Sequence, residues 1–115
     1  MLPPKLHNLL IMIFPLYQDA LRETKSGAGA VSVSTYLTEL TAGGAVAITL
    51  ADGSKVGQMK KVILDDAAGV ATITPATFAD GTTAAIAAAI GNYAEFMWTG
   101  ANGWRLVGSL NVTVA

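Results

Sequence analysis

Apolar and polar side chains alternate along much of the chain after residue 25, which is the period-two pattern of a β-strand that buries one face. Between residues 30 and 40, Val31 and Val33 alternate with Ser32 and Ser34. Further segments of strand character lie at residues 46–50, 56–64, 70–74, 93–99 and 104–110. The pattern predicts β-strands throughout this part of the chain.

Turn signals separate these segments. The pairs that favour tight hairpin turns, because both positions accept positive φ, are Asp52-Gly53, Asp80-Gly81 and Asn102-Gly103. Residues 65–69 are acidic or small and predict a loop. We therefore expect an all-β fold, a compact antiparallel β-barrel or β-sandwich built of consecutive hairpins. Residues 26–115 would form this domain and residues 1–25 an N-terminal arm.

Residues 82–90 fit two kinds of local structure. Their alanines favour a helix, on which Ile86 and Ile90 would share one face. The glycine turns on either side fit a series of strands instead. The segment is predicted as a strand, with a single short helix as the alternative.

The last two strand segments carry most of the aromatic side chains. Ala94, Phe96 and Trp98 are predicted on one face, with Tyr93 on the other, and Trp104 begins the returning strand. The two tryptophans can therefore pair across the hairpin, which favours a place in the core. The alternative is an exposed platform for a sugar or another ligand, formed by Tyr36, Tyr93, Trp98 and Trp104.

The N-terminal segment differs from the rest. Pro3 and Pro4 exclude a regular helix at the start, and an apolar run of nine residues follows that is broken by Pro15. A membrane helix needs about 20 apolar residues, and no small-residue cleavage site of a signal peptide follows closely. We predict an extended arm that docks on a partner. Its contact residues would be Leu9, Leu10, Ile11, Ile13, Phe14, Leu16 and Tyr17.

Two alternatives to a docking arm stay open. In the first, the segment lies upstream of the natural start, so that the folded protein begins near Tyr17. In the second, it forms a strand or short helix that covers the protein's own core.

Composition narrows the classes of function. Charged residues make up 13% of the chain against about 25% in an ordinary domain, and apolar residues make up 52%. A domain of 115 residues cannot bury half of them in one small core, so some apolar surface is expected to meet another protein. The formal net charge of −1 argues against a nucleic-acid partner, and we expect no membrane partner.

No group of residues predicts catalysis. The single histidine, His7, lies in the arm, and adjacent Asp65 and Asp66 would point to opposite faces of a strand. The chain has no cysteine and no phosphate-binding glycine loop. Lys60 and Lys61, the only basic doublet, are predicted to lie at a solvated strand edge. We expect no enzyme, no catalytic residue, no cofactor and no metal.

The order of four motifs resembles a known family. These motifs are TKSGAGAVSV at residues 24–33, TLADGSKVGQMKKV at 49–62, ATITPATF at 71–78, and YAEFMWTGANGWRLVG at 93–108. Together they resemble small β-rich virion proteins of tailed bacteriophages, particularly the decoration, or cementing, proteins of phage heads.

The resemblance implies a trimer that bridges neighbouring major capsid proteins on the outer capsid surface of a virion assembled in the host cytoplasm. It also implies that an N-terminal arm contacts the capsid. The expected function is therefore to stabilise a bacteriophage capsid. A phage fibre or spike module that binds a host receptor or glycan is the main alternative, followed by a secreted, adhesin-like bacterial domain.

Overall fold

The structure, a computed structural model, describes residues 21–115. Within that range it contains ten strands and no helix. The strands are β1 (Arg22–Ser26), β2 (Gly29–Ala30), β3 (Leu37–Ala42), β4 (Val46–Leu50), β5 (Met59–Ala67), β6 (Ala71–Pro75), β7 (Ala84–Ile86), β8 (Tyr93–Trp98), β9 (Trp104–Leu110) and β10 (Val112–Val114). The predicted all-β class is confirmed.

The strands form two sheets of five, each with parallel and antiparallel neighbours. The first, which we call sheet A, has the order β1-β3-β5-β8-β9, and the second, sheet B, has the order β10-β7-β6-β4-β2. In sheet A, β1, β3 and β5 pair in parallel, and β5, β8 and β9 pair antiparallel. Sheet B follows the same plan, with β2, β4 and β6 parallel and β6, β7 and β10 antiparallel.

The first six strands change sheet at every step. Odd-numbered strands enter sheet A and even-numbered strands enter sheet B, so the chain winds through three coils that stack in parallel. Successive coils are unequal in length. Arg22 pairs with Leu37, 15 residues later, whereas Leu37 pairs with Lys61, 24 residues later.

The prediction of consecutive hairpins is wrong for this winding part. Asp52-Gly53 lies between β4 in sheet B and β5 in sheet A, so it joins no hairpin. Gly53 has no positive φ; a Cβ there would stand 2.5 Å from Cγ of Trp98, so its backbone approaches that ring closely. Asp65 and Asp66, predicted in a loop, belong to β5.

The prediction of consecutive hairpins is confirmed in part for the C-terminal strands, because the chain changes sheet between β7 and β8 and again between β9 and β10. β8 and β9 form an antiparallel hairpin that turns at residues 99–103, where Gly103 has a φ of 85°. Asp80-Gly81 lies between β6 and β7, which also pair antiparallel, but residues 76–83 join these strands and Gly81 has no positive φ, so the connection is not a tight hairpin turn. Within residues 82–90 the structure contains the short strand β7, so the strand interpretation is confirmed.

One apolar core lies between the sheets and draws on both. Along β3, buried residues alternate with partly exposed ones, because successive side chains of a strand point to opposite faces. The buried apolar residues are Val31, Leu40, Ala42, Ile48, Leu50, Val62, Leu64, Ala71, Ile73, Ala84, Ile86, Ala94, Phe96 and Trp104. Val31 belongs to the predicted 30–40 strand, but residues 31–36 connect β2 to β3 outside any strand.

The boundary of the predicted arm falls within β1. Residues 22–25, which sequence analysis assigned to the arm, pair with β3 at the edge of sheet A. The predicted contact residues Leu9, Leu10, Ile11, Ile13, Phe14, Leu16 and Tyr17 lie outside the described residues, as does His7. The docking arm therefore stays a prediction.

In the described part of the chain, no helix has the length and apolar character that a membrane crossing requires.

The close stacking of successive coils leads to a testable prediction for Gly69. A Cβ at this position would collide with the backbone of Gly44 and Ala45, in the corresponding link of the preceding coil. Gly69→Ala should therefore lower the free energy of unfolding by about 2 kcal/mol, the usual cost of overpacking. Urea denaturation measures this change.

Gly43→Ala is the matched control. Gly43 lies in the same turn region, has no positive φ, and has open space where a Cβ would stand. Its substitution should change stability by less than about 0.5 kcal/mol. Equal effects of the two substitutions would contradict the coil stacking.

Candidate functional site

Charge is distributed unequally between the two sheets. The five strands of sheet B, including VAITL of β4 and ATITP of β6, contain no charged residue. Every charged residue that lies in a described strand belongs to sheet A. Sheet A is therefore the sheet whose strand residues can form ion pairs with a partner.

Tyrosine, lysine and glutamate side chains meet on the outer face of sheet A. The Tyr36 hydroxyl donates a hydrogen bond to Oε2 of Glu95 in β8. Lys61, opposite Glu95 in the strand register, places its ammonium group 4.3 Å from the centre of the Tyr93 ring. The hydrogen bond to Glu95, together with burial and the carboxylate charge, raises the pKa of Tyr36 to about 12. This phenol therefore stays protonated to a higher pH than an ordinary tyrosine.

A groove of about 310 Å³ lies on the same face. Its lining combines aliphatic side chains with charges of both signs: Leu37, Glu39, Lys61, Ile63, Leu64, Asp65, Ile90 and Gly91. Ile90 is 73% exposed, although it is a large apolar residue. Leu110, opposite Tyr93 in the register, is 47% exposed. An apolar surface with a charged rim is typical of sites that contact proteins.

Neither Lys60 nor Lys61 lies at a strand edge of the sheet, so that sequence prediction is wrong. Both belong to β5, the central strand of sheet A, and the side chain of Lys60 is completely buried. Its ammonium group donates to the carbonyl oxygen of Thr35 at 3.1 Å, to Oγ1 of Thr35 at 3.0 Å and to Oγ1 of Thr38 at 2.6 Å. Thr38 in turn donates to Oε1 of Glu23 at 2.7 Å.

This network holds three parallel strands together from the inside, since Glu23, Thr38 and Lys60 belong to β1, β3 and β5. Oε1 of Glu23 also accepts the backbone N–H of Ser32 at 3.1 Å. Burial lowers the pKa of Lys60 to about 8, and the charge of Glu23 opposes that shift. Three oxygen acceptors satisfy the amine, so the arrangement is that of a structural group and not of an accessible nucleophile.

The tryptophan pair packs at the core, as predicted, although Trp98 is only partly buried. The Trp98 and Trp104 rings meet edge to face, with 5.4 Å between their centroids. Trp104 is completely buried, and its Nε1–H donates to the carbonyl oxygen of Ala51 at 2.9 Å. The alternative platform of Tyr36, Tyr93, Trp98 and Trp104 does not form as one exposed surface, because Trp104 faces the core.

The acidic doublet has no third metal-ligating side chain close to it among the described residues. Asp65 and Asp66 are both exposed in β5. Leu40 of β3 pairs with Leu64 and the next residue, Thr41, pairs with Asp66, so the pairing skips Asp65. Asp65 is therefore the extra residue of a β-bulge. Among residues 21–115, no three histidine, cysteine, aspartate or glutamate side chains gather closely enough to hold a metal ion.

Comparison of the sequence with models of known protein families, and with curated proteins, finds no match.

Sequence analysis did not predict the buried position of Lys60 or the groove on the outer face of sheet A. The interior position of Lys60 could have been found, because Lys60 is in phase with Val62 and Leu64, two residues and four residues later. The groove could not, since it joins Leu37, Ile63 and Ile90 from distant parts of the chain. The parallel pairing of β3 with β5 brings Leu37 to this face, and the antiparallel pairing of β5 with β8 brings Ile90 there.

The buried lysine predicts a pH dependence. Its pKa is lower in the folded protein than in the unfolded chain, so the unfolded chain binds more protons between about pH 8 and pH 10.4. The free energy of unfolding of the natural protein should therefore rise with pH across this window. Relative to Lys60→Met, the rise should be about 2 kcal/mol between pH 7.5 and 9.5.

Urea unfolding at several pH values measures this difference, and Lys61→Met serves as the control because Lys61 lies on the outer face. The control should keep the slope of the natural protein. A Lys60→Met variant with that same slope would show that Lys60 titrates normally.

Proposed function

We propose that this chain is a structural virion protein that decorates and stabilises a bacteriophage capsid. The observation that carries the proposal is the number of large apolar side chains left exposed on residues 21–115, on a scaffold whose buried polar side chains there all have hydrogen-bond partners. Such a surface supports binding to another protein. The motif resemblance supplies the capsid as the partner, and specifically the major capsid protein.

The exposed apolar side chains support an assembled protein. Val56 is 76% exposed and Val107 is 49% exposed, in addition to Ile90 and Leu110. Interfaces between permanent partners are more apolar than ordinary surface. A homo-oligomer, with the trimer that the resemblance implies, would cover part of this surface, and the outer capsid surface would cover another part.

The two-sheet arrangement also supports a sandwich over a closed barrel. The core is shared by inward-facing residues of both sheets, such as Leu40 and Phe96 of sheet A and Ile48 and Ile73 of sheet B. Each sheet has its own edge strands, β1 and β9 in one and β10 and β2 in the other. We propose a β-sandwich on this basis.

Stabilisation would follow from mass action. A protein that binds only the assembled shell shifts the balance away from its open state, by about 2.7 kcal/mol per site at a concentration of 100 times Kd. A copy that bridges two or three capsid subunits adds avidity. No chemistry beyond binding is needed.

Heating of virions tests the proposal. Virions that lack this protein should release DNA at a lower temperature than complete virions, as followed with a DNA-binding dye. Adding the purified protein back should restore the higher temperature. A variant without residues 1–16 should fail to restore it if the predicted arm makes the capsid contact.

Unchanged shell stability without the protein would contradict the proposal. Binding of the isolated protein to host cells or glycans, with no effect on the shell, would favour the fibre or spike alternative instead. Circular dichroism of the shortened variant provides the control, because it separates a lost contact from a lost fold.

A further inference from the structure

The outer-face groove carries two charges that no other charged side chain of the described chain neutralises. The ion pairs formed among residues 21–115 are Arg22–Glu39 and Arg105–Asp80, and neither includes Lys61 or Asp65. Lys61 contacts the Tyr93 ring, and the carboxylate opposite it accepts the hydrogen bond of a tyrosine. Glu95 keeps its negative charge, because the donor of that hydrogen bond is a neutral phenol. Neither Lys61 nor Asp65 forms an ion pair with another residue of the range 21–115, so both can pair with a charge on a partner.

These charges lie at opposite ends of one apolar surface. Lys61, Ile63 and Asp65 occur at alternate positions of β5, and all three line the groove. Four residues of a strand span about 13 Å, which separates the cation from the anion. Between and beside them lie the aliphatic side chains of Leu37 and Ile90.

A surface with a cation at one end and an anion at the other is complementary to itself. When two copies meet with their β5 strands in opposite directions, Lys61 of one copy faces Asp65 of the other, twice. In a closed ring of three copies, the cationic end of each copy can meet the anionic end of the next. A partner with charge of a single sign would leave one of the two residues unpaired at the rim.

We propose that this groove is the contact between copies of this chain, with Lys61 of one copy paired to Asp65 of the next. Ile63 and Ile90 supply the apolar contact, and the charges set the orientation, because opposite charges favour one register and like charges oppose others. The inference deepens the proposed function, on whose homo-oligomer it rests, by assigning the contact between copies. Its test is separate, since self-association can hold whether or not the assembly binds a capsid.

Sheet B offers no comparable surface. Its outward residues are small and uncharged, as in the row formed by Ala47, Thr72, Ala85 and Thr113. Such a row has no charge that would select an orientation. The proposal therefore rests on sheet A alone.

Charge reversal tests the contact. The mass of the full-length protein is measured by analytical ultracentrifugation over a range of concentrations. The natural protein should form dimers or trimers, and Lys61→Asp and Asp65→Lys should each weaken the association at least tenfold. The double variant, with both charges exchanged, should recover most of it, because the two charges again face opposite partners.

Matched controls come from the link between β4 and β5. Lys55→Asp and Asp52→Lys change the net charge by the same amounts at exposed positions away from the groove, and both should leave the mass unchanged. Ile90→Ser should also weaken association. Ile90 is 73% exposed, so this variant keeps the test decisive should a charge reversal prevent folding.

Three results would overturn the proposal. If the natural protein remains monomeric at high concentration, the contact is excluded. Single charge reversals that leave the mass unchanged would place the contact elsewhere. Weakening by the single variants without recovery in the folded double variant would show that Lys61 and Asp65 do not pair.

Discussion

Backbone pairing between successive coils is the constraint on which the remaining structure depends. A strand of sheet A finds its parallel neighbour only after the chain has visited sheet B and returned. The links between sheets must then stack as closely as the strands do, so the backbone of Gly69 packs against that of Gly44. The same stacking aligns Glu23, Thr38 and Lys60 on one inner face, where a hydrogen-bonded network replaces apolar packing.

That network explains how a chain so poor in charge tolerates a buried lysine. An ammonium group in the interior costs free energy unless oxygen acceptors replace the lost water. Thr35 and Thr38 supply those acceptors, and Glu23 supplies the opposing charge through Thr38. Since each partner comes from a different strand or link, the amine joins the coils only when their register is correct.

The two sheets differ in the chemistry of their outer surfaces. Sheet B is uncharged and its outward residues are small, whereas sheet A carries all the strand charges, its own aromatic contacts and the groove. The C-terminal strands add antiparallel neighbours to both sheets. Within them, the tryptophan pair packs against the core. Charged and large apolar side chains therefore share one outer face, that of sheet A. The proposed capsid function and the proposed contact between copies both use this property.

The sequence by itself determined where most strands lie and which face of β8 and β9 is buried. Both properties follow from local features, the alternation of apolar and polar residues and the identity of turn residues, which depend only on residues close in sequence. The tryptophan hairpin was predictable for that reason. Which strands pair was decided only in the tertiary structure. Coils of 15 and 24 residues leave no regular sequence period, so the pattern that predicts hairpins is equally compatible with parallel winding. The groove depended on that register as well, since Leu37, Ile63 and Ile90 become neighbours only when distant backbone hydrogen bonds form.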